Sequence, residues 1–156
     1  MSTIRAIIPA AGKGSRLQKV CGDLPKAMFS VGNKPMLEYV LDNISFIDKN
    51  DTYIVVGYGK EKIIDYFGDD YCYIEQIQQL GTGHAVMECA SEFENFEGSV
   101  LITFGDMPLF RREEMEAMCI QHAKSGADCT LMTAKNESLK LWARVIRDKN
   151  GAFSRI

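Results

Sequence analysis

Short apolar runs recur along the chain, and most are separated by stretches whose apolar residues repeat at helical spacing. Residues 4–8 read IRAII, 52–57 TYIVVG, 71–76 YCYIEQ, 99–104 SVLITF and 128–134 DCTLMTA. The first, second and fourth of these runs suit buried strands, as in a parallel sheet, and the third and fifth read as further strands. Between them, Pro35 stands at a helix-start position, and Leu37, Val40, Leu41, Ile44 and Ile47 share one helical face. Further helices are expected over 60–67, 83–93 and 111–124, the last with Met115, Met118, Cys119 and His122 facing inward. Strands alternating with helices predict βαβ units and a mainly parallel sheet. Residues 142–148 and 152–156 read as a hairpin around Asn150-Gly151.

The 156 residues suffice for one domain with a sizeable core, and no repeat or linker divides them, so residues 1–156 are expected to form a single domain. A net charge of −3 argues against a general nucleic-acid binder, whose footprint is basic. An anionic ligand would need local positive groups. Five cysteines (Cys21, Cys72, Cys89, Cys119, Cys129) lack zinc-knuckle spacing, and only two histidines accompany them. They are expected to be reduced, mostly buried thiols of a cytoplasmic protein, without the base pattern of thiol catalysis. No apolar run approaches membrane-spanning length, so no membrane partner is expected. Asp69-Asp70 reads as a turn.

Three motifs carry candidate chemistry. PAAGKGSRL, residues 9–17, follows the first strand. Its small residues admit close backbone approach, and Gly12 and Gly14 can help build an anion nest. Lys13, Arg16 and Lys26 add positive charge, giving a pocket suited to a triphosphate. The pattern is neither the P-loop nor the dinucleotide fingerprint, and a tight turn with solvated lysines is the competing reading. Asp106, in FGDMPL (104–109), stands just past the end of an apolar strand, where open α/β sheets bind ligands. A lone carboxylate there suits Mg²⁺; a turn-forming or helix-capping Asp is the alternative. In IEQIQQLGTGHAV (74–86), Gln76 and Gln79 offer amides to a base edge, and Gly81 and Thr82 offer backbone groups. Thr82 equally reads as a helix N-cap, and His84 as an exposed residue of the helix start.

AAGKGSRL (10–17), PK (25–26), KPMLEYVL (34–41), QLGTGHAV (79–86) and GDMPL (105–109), in this order, resemble the sugar-1-phosphate nucleotidyltransferases. QLGTGHAV is most like the uridylyltransferase domain of the N-acetylglucosamine-1-phosphate uridylyltransferases. The resemblance implies a Rossmann-like three-layer α/β fold with a mainly parallel mixed sheet. It implies Mg²⁺-dependent transfer from UTP to a sugar 1-phosphate such as N-acetylglucosamine 1-phosphate, giving a UDP-sugar for cell-wall precursors and pyrophosphate. Ala10, Ala11, Gly12 and Gly14 would line the nucleotide, and Arg16 and Lys26 would neutralise phosphate charge as the catalytic residues. Gln76, Gly81 and Thr82 would contact base and ribose, Asp106 would hold Mg²⁺, and Gly105 would let the ligand approach it.

Departures from the family pattern accompany the resemblance. Pro9 precedes Ala10-Ala11-Gly12 where an aliphatic residue is usual, and Phe104 stands where a tyrosine is common. The 17–23 stretch is closer in length to that of hexose-1-phosphate enzymes, and Ala143 follows Trp142 where the family has a glycine near the sugar. The family's later elements, including a second metal ligand, are missing, so the chain is expected to be truncated at its C-terminus, with little turnover alone. A cytidylyl- or thymidylyltransferase acting on glucose 1-phosphate or phosphocholine, and a non-catalytic nucleotide-binding regulatory domain, are the alternatives; an oligomer is left open.

Overall fold

A computed structural model of the chain describes residues 3–15, 17, 22–134 and 144–155. They fall into two compact units, residues 1–126 and 127–156.

The first unit is built on four parallel strands, β1 (Ile4–Pro9), β4 (Thr52–Val56), β5 (Cys72–Glu75) and β6 (Ser99–Ile102), in the order β5-β4-β1-β6. β1 pairs with both β4 and β6, so Ile7 lies between Tyr53 and Ile102. All five residues of β4 are buried, as the unbroken apolar run of 52–57 requires. Side chains alternate between two cores. Ala6, Ile8, Ile54 and Val56 face one of them, with Leu37, Val40 and Leu41 of helix α1 (Met36–Asn43), Ile63 of α2 (Lys60–Phe67) and Met115 of α5 (Arg112–Ser125). Ile7, Tyr53 and Val55 face the other, with Ala85 of α3 (Thr82–Met87) and Cys89, just before α4 (Ala90–Phe93). The result is the expected three-layer arrangement. Between β1 and α1, a two-strand ribbon of β2 (Ser30–Val31) and β3 (Lys34–Pro35) closes through Gly32, whose φ is +68°.

Several expectations are corrected. Among the described residues the four strands of the main sheet are all parallel, and residues 128–134 form no strand. Apolar residues alone do not make a strand; the backbone needs a neighbouring ladder to satisfy its N–H and C=O groups. Among the described residues β6 is an edge strand, with Val100 and Ile102 40% and 46% exposed, not the buried element its composition promised. The 83–93 helix is two helices. Between them Cys89 N–H bonds to the Val86 carbonyl at 3.1 Å, a tight three-residue step that turns Cys89 fully into the core. The helix opened by Pro35 stops at Asn43, yet Ile44 and Ile47 remain buried. Of the cysteines, Cys89 is buried, Cys72 and Cys119 are half-buried and Cys129 is exposed; Cys21 lies outside the described residues. Asp69-Asp70 does form a turn, and no described helix is long and apolar enough to cross a membrane.

The second unit holds the expected hairpin in shortened form, β7 (Ile146–Arg147) against β8 (Phe153–Arg155). Its turn is held by Asp148 Oδ1, which accepts from Asn150 N at 2.8 Å and Ala152 N at 2.9 Å, with Gly151 at φ +81°.

Ile54 lies in the middle of the sheet with no exposed surface, whereas Ile102 stands on the edge. Ile54→Ala is expected to lower unfolding free energy by about 2–5 kcal/mol, and Ile102→Ala by under about 1 kcal/mol, read from urea midpoints at constant slope.

Candidate functional site

Parallel pairing brings the carboxyl ends of all four strands to one edge of the sheet. The ladder continues past those ends: Ala10 N–H donates to the Val55 carbonyl at 2.8 Å, Gln76 N–H to Val56 at 2.8 Å and Gly105 N–H to Pro9 at 3.1 Å. The loops therefore leave from pinned backbone. They enclose a cavity of about 300 Å³, walled by Ala10, Ala11, Gly12, Lys26, Gln76, Gly81, Thr82 and Asp106. Pro9, Ala27, Gln79, Ala85 and Phe104 complete the wall. Gln76 follows β5 and Asp106 follows β6, the two outer strands of the sheet. Three strand spacings, roughly 14 Å of sheet width, separate those strands.

At the β6 end, the Lys26 ammonium contacts the Asp106 carboxylate directly. Lys26 opens a single 3₁₀ turn (Lys26–Met28) after Pro25, and its backbone N–H reaches the Gly12 carbonyl at 3.3 Å. Gly14 makes this fit. Its φ is +66°, and a Cβ there would stand 2.8 Å from Lys26 Cβ. A side chain at position 14 would thus be strained and would displace the lysine. Lys13 turns toward Tyr58, its Nζ 5.0 Å from the ring centre. Arg16 lies outside the described residues. Asp106 is a single hard carboxylate, and the described residues hold no group of three or more His, Cys, Asp or Glu able to chelate a metal. Such a donor set fits Mg²⁺, which takes most of its shell from water and phosphate oxygens.

At the β5 end, Gln76 is only 4% exposed. Its Nε2 donates to the Gly81 carbonyl at 3.1 Å and lies 3.0 Å from His84 Nδ1. His84 Nε2 in turn lies 3.3 Å from Glu88 Oε1, one helical turn on. Gln79 Nε2 donates to the Ala11 carbonyl at 3.1 Å, tying the 76–81 loop to the loop after β1. Thr82 is not the N-cap; Gly81 precedes the helix and Thr82 is its first residue. His84 is half-buried rather than exposed.

Of the candidate residues singled out from sequence, nine share the cavity wall, Gln79 among them. Gly14 and Gly105 stand behind it. A Cβ at Gly105 would meet Ala10 Cβ at 3.2 Å and Ala27 Cβ at 3.3 Å, a tight fit within the protein itself. The Trp142-Ala143 step lies outside the described residues. Sequence reasoning missed Ala27 and Ala85 as wall residues, and small apolar residues carry no signal that would reveal them. It also missed the restraint by Gln79, for which the amide-rich run was the available clue.

A family model described as the MobA-like NTP transferase domain matches residues 6–153. The bifunctional protein GlmU of Bacillus mycoides is 38% identical over 156 residues, 100% of this chain and 33% of that protein. Its counterpart in Acholeplasma laidlawii is 36% identical over 151 residues, 97% of this chain and 32% of that protein. The chain thus spans about a third of the length of these curated relatives. The solved structure of a UDP-glucose pyrophosphorylase complexed with UDP-glucose superposes with a TM-score of 0.66 at 21% identity, covering 81% of this chain and 55% of that one.

None of the cavity-wall residues is a thiol. Burial pushes the Cys89 thiol up to about 11, with Glu88 and Glu92 adding to the shift, and burial likewise raises Cys72 and Cys119. Cys89 therefore stays protonated until the pH nears 11. Iodoacetamide at pH 7.5 is expected to label Cys129 readily and to spare Cys89 in the folded chain, as read by peptide mass spectrometry; unfolding in urea should remove the protection.

Proposed function

The chain belongs to the MobA-like NTP transferase family, and we propose that its cavity binds UTP for transfer of the uridylyl group to a sugar 1-phosphate, N-acetylglucosamine 1-phosphate. The observation that carries this reading is one cavity with polar groups at Gln76 and Gly81 and charged groups at Lys26 and Asp106. The roughly 14 Å of sheet between β5 and β6 suits a nucleotide laid across the strand ends, base over β5 and phosphates over β1 and β6.

In the proposed reaction, a phosphate oxygen of the sugar 1-phosphate attacks the α-phosphorus in line. The new O–P bond forms as the bond to the β-phosphate oxygen breaks, and pyrophosphate leaves with that electron pair. No enzyme nucleophile is required, so the protein contributes positioning and charge compensation. Ala10, Ala11 and Gly12 bring bare backbone to the nucleotide. Lys26 compensates phosphate charge, and the family resemblance assigns Arg16 to the same task. Gln76, Gly81 and Thr82 hold base and ribose. Asp106 would hold Mg²⁺, which when bound shields the phosphate oxygens from the incoming anion. The product is a UDP-sugar of the kind consumed in cell-wall synthesis, a reading that goes with a cytoplasmic protein.

Thermal shift with ATP, GTP, CTP and UTP tests the nucleotide. A ligand that binds only the folded state raises the melting temperature. UTP with Mg²⁺ is expected to give the largest rise; no rise with any triphosphate, or a larger one with CTP, overturns the reading. Calorimetry tests the charged end. Lys26→Ala is expected to weaken Mg-UTP binding by about tenfold or more, from losing roughly 1.5–3 kcal/mol of charge-assisted hydrogen bonding. An unchanged affinity removes Lys26 from the site.

A further inference from the structure

We propose that His84 is a positioning residue that, together with the Gly81 carbonyl, holds the polarity of the Gln76 amide and so favours uracil over cytosine. The proposal rests on the reading that Gln76 faces the base, and adds what makes Gln76 selective.

A glutamine amide is ambiguous by itself: rotated by half a turn, it exchanges a donor for an acceptor. Here the rotation is decided by its neighbours. The Gly81 carbonyl, 3.1 Å away, can only accept, so the nitrogen of Gln76 must face it. The amide is buried, and its second N–H points to His84 Nδ1 at 3.0 Å. That ring nitrogen must therefore be bare. The imidazole hydrogen then sits on Nε2, which lies 3.3 Å from the Glu88 carboxylate, an acceptor. Every group in the row Gly81–Gln76–His84–Glu88 has one consistent role. The opposite amide orientation would set two oxygens against each other at Gly81.

The consequence lies at the remaining atom. Both N–H groups of Gln76 are engaged, which leaves Oε1 as the acceptor this cavity-wall residue offers. Uracil carries N3–H, a donor, where cytosine carries a bare N3, an acceptor. An amide held with oxygen outward pairs with the first and repels the second at that position. Were His84 replaced by a side chain with no acceptor, one N–H of Gln76 would lose its partner and the Gly81 carbonyl alone would hold the amide, so turning it to suit cytosine would cost less.

Two measurements on the chain test this. Long-range ¹H–¹⁵N correlation should show the His84 ring, assigned by its loss in His84→Asn, as the Nε2–H tautomer; an Nδ1–H tautomer overturns the proposal without reference to any nucleotide. Calorimetric affinities for UTP and CTP supply the second arm. His84→Leu should cut the UTP preference by roughly fivefold to tenfold, the value of one hydrogen bond. His84→Asn, whose Oδ1 stands where Nδ1 stood, should keep it. A preference unchanged in His84→Leu, or lost equally in both variants, sinks the positioning role. Gln76→Ala separates the two levels. If it abolishes the preference while His84→Leu does not, base reading stands and only this proposal falls. If it leaves the preference intact, the base-reading assignment of Gln76 falls, and this proposal with it. Melting temperatures of the variants identify any that are merely unfolded, in which case the tautomer decides.

Discussion

The pairing of β1 with a parallel strand on each side is the constraint on which the rest of the first unit depends. A parallel pair cannot be closed by a tight turn; each connection must cross the sheet and return. The crossovers of this chain carry α1 through α4 onto the two faces of the sheet. They bury Ile8 and Ile54 on one face and Ile7 and Val55 on the other. The same pairing sends every strand toward the same edge. The glycine-rich loop after β1, Gln76 after β5 and Asp106 after β6 thus converge without any interaction specific to them. The backbone bonds that continue beyond the strand ends fix where those loops begin.

Within that convergence, side-chain size does as much as side-chain chemistry. Ala10 and Ala27 stand close to Gly105, where an added methyl group would be crowded, and Gly14 stands so close to Lys26 that one would clash. Small residues on the cavity wall leave room for backbone to meet a ligand, while those behind it let two loops approach each other. Gly12 belongs to the first kind, with no atom near its would-be Cβ, and Gly105 to the second.

Much of this was legible in the sequence because it follows from composition alone. IRAII and TYIVVG contain almost nothing that water would stabilise, and both became central strands. DCTLMTA has similar composition and formed no strand, because composition does not supply a ladder partner. The break between α3 and α4 was hidden because the helical spacing of 83–93 continues through Cys89; only the packing of its thiol reveals the step. The cavity wall was found through its charged and amide residues and missed at Ala27 and Ala85. His84 shows the deeper limit. Its type suggested nothing beyond a place on a helix, and its significance lies in Gln76, eight residues away, whose partner a sequence cannot name.

The contact between Lys26 and Asp106 also bears on how fast an anion could be captured. An unpaired lysine projects a field felt as far as the screening length, about 8 Å at physiological ionic strength. A lysine answered by a touching carboxylate projects only a dipole, which fades more steeply with distance. Lys26 therefore draws little from afar, in a chain whose overall charge is already −3. Its hold on an anion begins at contact, when the ammonium exchanges one oxygen partner for another. Added salt should then bear more on how long such a ligand stays than on how often it arrives.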